Sequence, residues 1–198
     1  MNPYRKGTDL IIKSLDTISL DDWKVIIHTQ KELDLQFPEL KDTIKKYENL
    51  GKLEIITKTV SAPGLYYKGD VYVYPSRLEG IGLTIAEAVA SGLCLIVPDC
   101  GPMNEFANNQ FSQKVSVERL FSRKDGYYWP QNEVDTDDLA EKMSFFIQNK
   151  AMLKNLKNEA RNYAINHLEW SKNAHSLTSV FGSLEKEKHK DIKRETLD

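Results

Sequence analysis

Apolar residues along this chain gather into short runs, with longer amphipathic stretches between them. Trp23-Lys24-Val25-Ile26-Ile27-His28, Leu53-Glu54-Ile55-Ile56-Thr57, Val71–Tyr74 and Leu93–Val97 are the runs. Short stretches rich in Val, Ile and Leu read as strands, and continuous ones read as strands covered on both faces. Thr8 to Leu15 predicts a helix that the Thr8 hydroxyl can cap. Pro38 to Asn49 predicts another, stopped near Gly51. A short helical turn is expected after Pro63 and a further helix from about Leu83. Phe111 to Pro130 is less regular. Asp135-Thr136-Asp137-Asp138 puts acids where a helix N-terminus is partly positive, so a helix is expected over Leu139 to Gln148. Met152–His167 and Ser171–Leu184 have amphipathic helical patterns. Strands alternating with helices imply an α/β fold, a parallel sheet with helices on both faces. The expected organisation is one domain over residues 1–150, helices packed on it over 151–184, and a charged, fraying tail over 185–198.

Composition narrows the partners more than the fold. Charged residues make up 28% of the chain and hydrophobic ones 40%, ordinary for a globular protein. A formal net charge of -2 offers no basic field for nucleic acid, so no nucleic-acid partner is expected. No apolar run approaches the roughly 18 residues of a membrane span. Met1-Asn2-Pro3-Tyr4-Arg5-Lys6 lacks the apolar core of a signal peptide. Cys94, in a predicted buried strand, and Cys100, in the next loop, have no metal-ligand spacing. No metal is expected, and a reducing cytoplasm is the expected location.

The candidate chemistry lies in Glu79-Gly80-Ile81-Gly82-Leu83-Thr84-Ile85-Ala86-Glu87-Ala88-Val89-Ala90-Ser91-Gly92, between two predicted strands. Gly80 and Gly82 allow close backbone approach to a ligand and positive φ. The first amides of a helix starting at Leu83 lack intrahelical partners, and the macrodipole is positive there. Phosphate or sugar oxygens suit that position at the end of a parallel sheet. Glu87 shares a helix face with Thr84, three residues earlier, and its carboxylate can accept from the vicinal hydroxyls of a ribose. Glu79, in the loop, can meet another part of the same ligand. The plainer alternatives are that Glu87 serves the helix N-terminus and Glu79 is a solvated acid.

This stretch resembles the donor-site signature of retaining GT-B glycosyltransferases, family 4, also called glycosyl transferases group 1. Their pattern is Glu, seven residues, Glu, with an acidic-Gly-Phe-Gly-Leu run entering a helix; here Ile81 stands where Phe is usual. The similarity extends from RKGTDLIIKSL at Arg5–Leu15 to the helices around Trp170. It implies the Rossmann-like second domain of a GT-B fold. It further implies transfer of a sugar from a nucleotide-diphosphate donor, UDP- or GDP-linked, to an acceptor hydroxyl with retention. No cofactor or catalytic metal is implied; the nucleotide sugar is a substrate. By the resemblance Glu79 contacts the donor sugar and Glu87 the ribose. The backbone from Gly80 through Ile81, Gly82, Leu83 and Thr84, with the Thr84 hydroxyl, receives the diphosphate and sugar. Lys6 matches a family lysine on the diphosphate, where a compact cation meets a departing phosphate; otherwise it is a surface charge.

Other positions carry weaker expectations. In Asp99-Cys100-Gly101-Pro102-Met103-Asn104-Glu105 the family often has a glycine pair and then a glutamate; Pro102 removes one backbone donor, and Glu105 matches the glutamate or else caps a helix. His28, ending a predicted strand, reaches a ligand or serves the structure. Phe121 to Pro130 is aromatic and basic, suited to stacking on a base or sugar, or to packing as an edge strand.

A whole GT-B enzyme has two such domains, and this chain resembles only the second. The family's first strand, ending in Gly-Arg, should precede Arg5, so a missing first strand is expected, as in a truncated gene or a split enzyme. The resemblance implies an acceptor that is a glycan, lipid or protein, and a separate N-terminal acceptor-binding domain is expected to hold it. The alternative reading is a non-catalytic nucleotide-sugar-binding subunit or an inactive remnant.

Overall fold

The computed structural model describes residues 2–122 and 128–195. The helices are α1 (Thr8–Ser14), α2 (Leu33–Gln36), α3 (Lys41–Asn49), α4 (Leu83–Ala90), α5 (Thr136–Gln148), α6 (Lys150–His167) and α7 (Trp170–Glu195). The strands are β1 (Val25–His28), β2 (Leu53–Ile56), β3 (Val71–Val73), β4 (Cys94–Pro98), β5 (Ser112–Val115), β6 (Val117–Ser122) and β7 (Pro130–Val134). The expected helical turn after Pro63 is a 3-10 turn, Tyr66–Lys68.

Strand pairing is parallel as expected, but in two separately hydrogen-bonded sheets. β1 pairs β2, with Val25 opposite Leu53, and β3-β4-β5 form the other, with Val71 opposite Cys94 and Leu95 opposite Ser112. β5 lies in the stretch read as irregular. Its residues, Ser-Gln-Lys-Val, bury only their two ends, so its polar interior hid a sheet position from the hydrophobic pattern. β6 and β7 pair antiparallel, a departure from the all-parallel expectation. Of the aromatic stretch from Phe121 to Pro130, residues 123–127 lie outside the described residues.

β4 is buried along its whole length and divides the interior. Cys94 and Ile96 join Leu10, Ile12, Leu15, Ile44, Leu139 and Met143 in one cluster, under α1, α3 and α5. Leu95 and Val97 join Ile85, Val89, Phe111, Ala160 and Ala164 in the other, under α4 and α6. One strand with opposite faces under different helices is the α/β layering the sequence predicts.

Caps explain several helix boundaries. Asp135 accepts from the Asp137 and Asp138 amides at 2.8 and 3.2 Å, fixing the start of α5. Thr8 does not cap α1. Gly7 stands at the N-cap with φ 71° and no side-chain hydrogen bond. Glycine is required there because a Cβ would come within 2.0 Å of the Pro75 carbonyl oxygen. α6 is tied down by Arg161, whose guanidinium donates to the Ala90 carbonyl at 2.5 Å, and by Lys157, 2.8 Å from Asp70. α7 runs on to Glu195 through most of the stretch expected as a tail; residues 196–198 lie outside the described residues. Among the described residues no helix is long and apolar enough to cross a membrane.

Candidate functional site

The close approach of Gly7 to Pro75 brings the entry to α1 against the loop that follows β3. The Arg5 carbonyl accepts from the Arg77 amide at 2.8 Å and from the Ser76 hydroxyl at 3.1 Å. Asn132 of β7 holds the loop from the other side, its side-chain amide donating to the Ser76 and Arg77 carbonyls at 3.0 and 3.1 Å. Lys6 and Glu79, which the sequence puts far apart, therefore meet.

Their meeting is an ion pair. Lys6 Nζ lies 2.5 Å from Glu79 Oε1, with side chains only 14% and 9% exposed. The same oxygen accepts from the Tyr74 hydroxyl at 2.8 Å and the Ser76 hydroxyl at 2.7 Å. Lys6 also donates to the Tyr74 hydroxyl and lies over its ring. Burial pushes the Glu79 carboxyl up, but hydrogen bonds from Lys6, Ser76 and Tyr74 outweigh it, and its pKa lies below the ordinary value. Glu79 is thus a shielded, ionised carboxylate rather than a solvated loop acid. At the Tyr74 hydroxyl burial prevails and raises the pKa well above that of an ordinary phenol, so it remains a donor.

The glycine turn follows. Gly80 is exposed, and Gly82 has φ 85° at the N-cap of α4, with no side-chain cap. The first amides of α4 therefore emerge where the sequence expects an anion. Ile81 and Leu83 flank Gly82 and are 63% and 64% exposed. Thr84 Oγ1 is buried and makes no hydrogen bond of ordinary geometry among the described residues. Glu87, one turn along α4, is exposed, and its Oε2 lies 2.8 Å from the Tyr66 hydroxyl.

The remaining candidates divide. Glu105 is exposed on a 3-10 turn, Met103–Phe106, that packs against the start of α4, where a Cβ on Gly82 would lie 3.7 Å from the Phe106 ring. Among the described residues Glu105 makes no hydrogen bond to Lys6, Glu79 or Glu87, so it borders the cluster without joining it. His28 Nε2 lies 3.0 Å from the Lys58 carbonyl, as its donor. It also lines, with Arg5, Lys6, Thr29 and Gln30, a cavity of about 380 Å³ at the carboxyl end of β1. Lys6 therefore faces both Glu79 and this cavity.

Sequence reasoning missed Tyr66, Tyr74, Arg77 and Asp9. Tyr72 stacks on Tyr74 with centroids 5.1 Å apart and meets Tyr66 edge-on at 5.7 Å. The three rings form a row from Glu87 to Glu79. Their recurrence at 66, 72 and 74 was visible, but it reads as strand-forming aromatic content.

Comparison with known proteins finds relatives of this chain. A mannosyltransferase of lipopolysaccharide core biosynthesis, LpsB of Rhizobium meliloti (strain 1021), is 31% identical over 107 residues, 52% of this chain and 30% of LpsB. The matched stretch therefore spans under a third of that relative's length. Two solved structures share the fold. Alr3699/HepE of Anabaena, in complex with UDP, has a TM-score of 0.68 at 15% identity, covering 91% of this chain and 46% of its own. The C-terminal domain of the group 1 glycosyl transferase LpcC from Francisella tularensis has a TM-score of 0.62 at 19% identity, covering 84% and 81%. The sequence profile of the glycosyl transferases group 1 matches residues 2–163. That span takes in Lys6, both signature glutamates and Glu105, and the chain belongs to this family.

Proposed function

We propose that this chain is the donor-binding half of a retaining GT-B glycosyltransferase, which moves a sugar from a nucleotide diphosphate to an acceptor hydroxyl. The observation that carries this reading is the buried Lys6–Glu79 pair beside the glycine turn that opens α4, with Glu87 one turn further on. In this reading the α4 amides and Lys6 receive the diphosphate, and their positive charge stabilises it as it leaves. Glu87 accepts from the ribose hydroxyls. Glu79, ionised and shielded, meets the donor sugar once the diphosphate draws Lys6 away. The protein contributes positioning and charge, with no metal or cofactor in the scheme. The acceptor, a glycan, lipid or protein, is held by a separate N-terminal domain. Free Cys94 and Cys100 suit a reducing, cytoplasmic setting.

The Anabaena relative was solved with UDP and with UDP-glucose, which puts uridine donors first in any panel and guanosine donors second. The test is thermal unfolding of the chain against nucleoside diphosphates and their sugars, with Glu87→Ala alongside. A ligand at about 100 times its dissociation constant adds roughly 2.7 kcal/mol. A shift with one nucleotide that Glu87→Ala loses supports the reading. A cooperative transition that no nucleotide moves rejects it.

A further inference from the structure

We propose that Tyr66 is a positioning residue for ribose recognition, because its hydroxyl holds one oxygen of Glu87 and so sets how the carboxylate is presented. The proposal rests on the donor-site reading of Glu87 and adds a residue to it. Tyr66 Oη lies 2.8 Å from Glu87 Oε2 and 3.3 Å from the Thr84 carbonyl, the shorter contact being to the carboxylate. Glu87 itself is exposed on α4, and a surface glutamate ordinarily samples several rotamers. A fixed donor on one oxygen removes most of that freedom before a ligand arrives.

Tyr66 is suited to the task because it is held from behind. Its 3-10 turn carries the ring edge-on to Tyr72, which stacks on Tyr74, whose hydroxyl donates to Glu79. The phenol is fixed by packing, not by the carboxylate it serves. Burial, then Tyr72 and Glu87, raise its pKa well above the ordinary phenol value, so it stays a donor wherever Glu87 is ionised. Oε1 of Glu87 makes no hydrogen bond among the described residues, which leaves it free to accept from a diol.

The experiment is calorimetric titration of the parent chain, Tyr66→Phe, Glu87→Ala and the double variant. The probes are uridine diphosphate and guanosine diphosphate, each beside its 2′,3′-dideoxy counterpart. Tyr66→Phe keeps the ring and its contact with Tyr72. It is expected to weaken ribonucleotide binding about fivefold, the worth of one hydrogen bond, and to leave dideoxynucleotide binding unchanged. Within the Glu87→Ala background the same substitution is expected to change neither. If Tyr66→Phe weakens both nucleotides alike, or weakens neither while Glu87→Ala still removes the preference for the diol, the positioning role is overturned and the donor site stands. If the parent chain does not distinguish ribose from dideoxyribose, or Glu87→Ala leaves that preference intact, the ribose role of Glu87 fails and the proposal fails with it.

Discussion

Arg77 and Asp9 form a two-pronged ion pair inside the protein, Nη1 2.7 Å from Oδ1 and Nη2 2.8 Å from Oδ2. The side chains are 2% and 3% exposed. Tyr4 adds its carbonyl at 2.6 Å and its ring face, and Glu133 of β7 lies 3.2 Å from Nη2. Arg77 stands two residues before Glu79, and Asp9 three after Lys6. The pair therefore clamps the two segments whose meeting makes the candidate site.

Removing one member leaves the other charged and buried. Arg77→Ala or Asp9→Ala is expected to cost about 3–5 kcal/mol of stability. Replacing both with apolar residues of similar volume, Asp9→Leu with Arg77→Met, is expected to cost much less than the sum of the single changes. Urea unfolding of the three variants checks this. Additive losses would mean the pair is not acting as a unit.

The Lys6–Glu79 pair has a pH signature. The folded-state pKa of Glu79 is depressed, so the folded state favours the ionised form. Its contribution to stability is complete above the ordinary carboxylate value of 4.5 and is lost as pH falls through the lower, folded value. Glu79→Gln is expected to flatten the acid limb of the stability curve as pH falls below 4.5 and leave its shape near neutrality unchanged. Unfolding free energies measured from pH 3 to 6 for both proteins decide the matter. Parallel curves would assign the acid limb to other carboxylates.

Two glycines make contrasting tests. Gly7 combines φ 71° with a Cβ position 2.0 Å from a backbone oxygen, so Gly7→Ala must move the Pro75 loop. It is expected to lose roughly 2–5 kcal/mol, from left-handed strain and overpacking together. Gly82 has φ 85°, but its Cβ position meets only the Ile85 side chain at 3.2 Å and the Phe106 ring at 3.7 Å. Gly82→Ala is expected to lose only about 1–2 kcal/mol, mostly strain. Equal losses in a side-by-side denaturation would contradict the packing difference.

What the sequence made legible follows from where its signals come from. Ile85, Val89, Leu95 and Val97 are apolar at helix or strand spacing, so the α4–β4 unit and its two-sided burial could be read directly. The glycine turn was legible from Gly80 and Gly82, and the carboxylates at 79 and 87 stood out through the resemblance to the family's pattern. Asp9 and Arg77 were not, because a charged residue reads as surface until its partner is known, and the partner lies in another segment. Gly7 was passed over for the same reason: only the neighbouring Pro75 backbone makes glycine necessary. The antiparallel β6–β7 pair escaped because Val117–Ser122 alternates weakly and is largely exposed. Tertiary contact, not local pattern, fixes each of these.

The two cysteines offer a probe of the core that needs no ligand. Cys94 is 0% exposed at the start of β4, and burial pushes its thiol up to about 11, with Asp70 adding to the rise and Lys157 opposing it. The thiolate is the reactive form, so Cys94 is doubly protected, by access and by ionisation. Cys100, half-buried in the loop after β4, has solvent access. Iodoacetamide at pH 8 is expected to modify Cys100 in the native protein and to reach Cys94 only at the rate of unfolding. In urea both thiols should react alike. Mass spectrometry of timed samples separates the two sites. Arg77→Ala, by destabilising the fold, should speed modification of Cys94 and leave that of Cys100 nearly unchanged. Modification of Cys94 as fast as Cys100 in the parent protein would contradict a β4 that is closed on both faces.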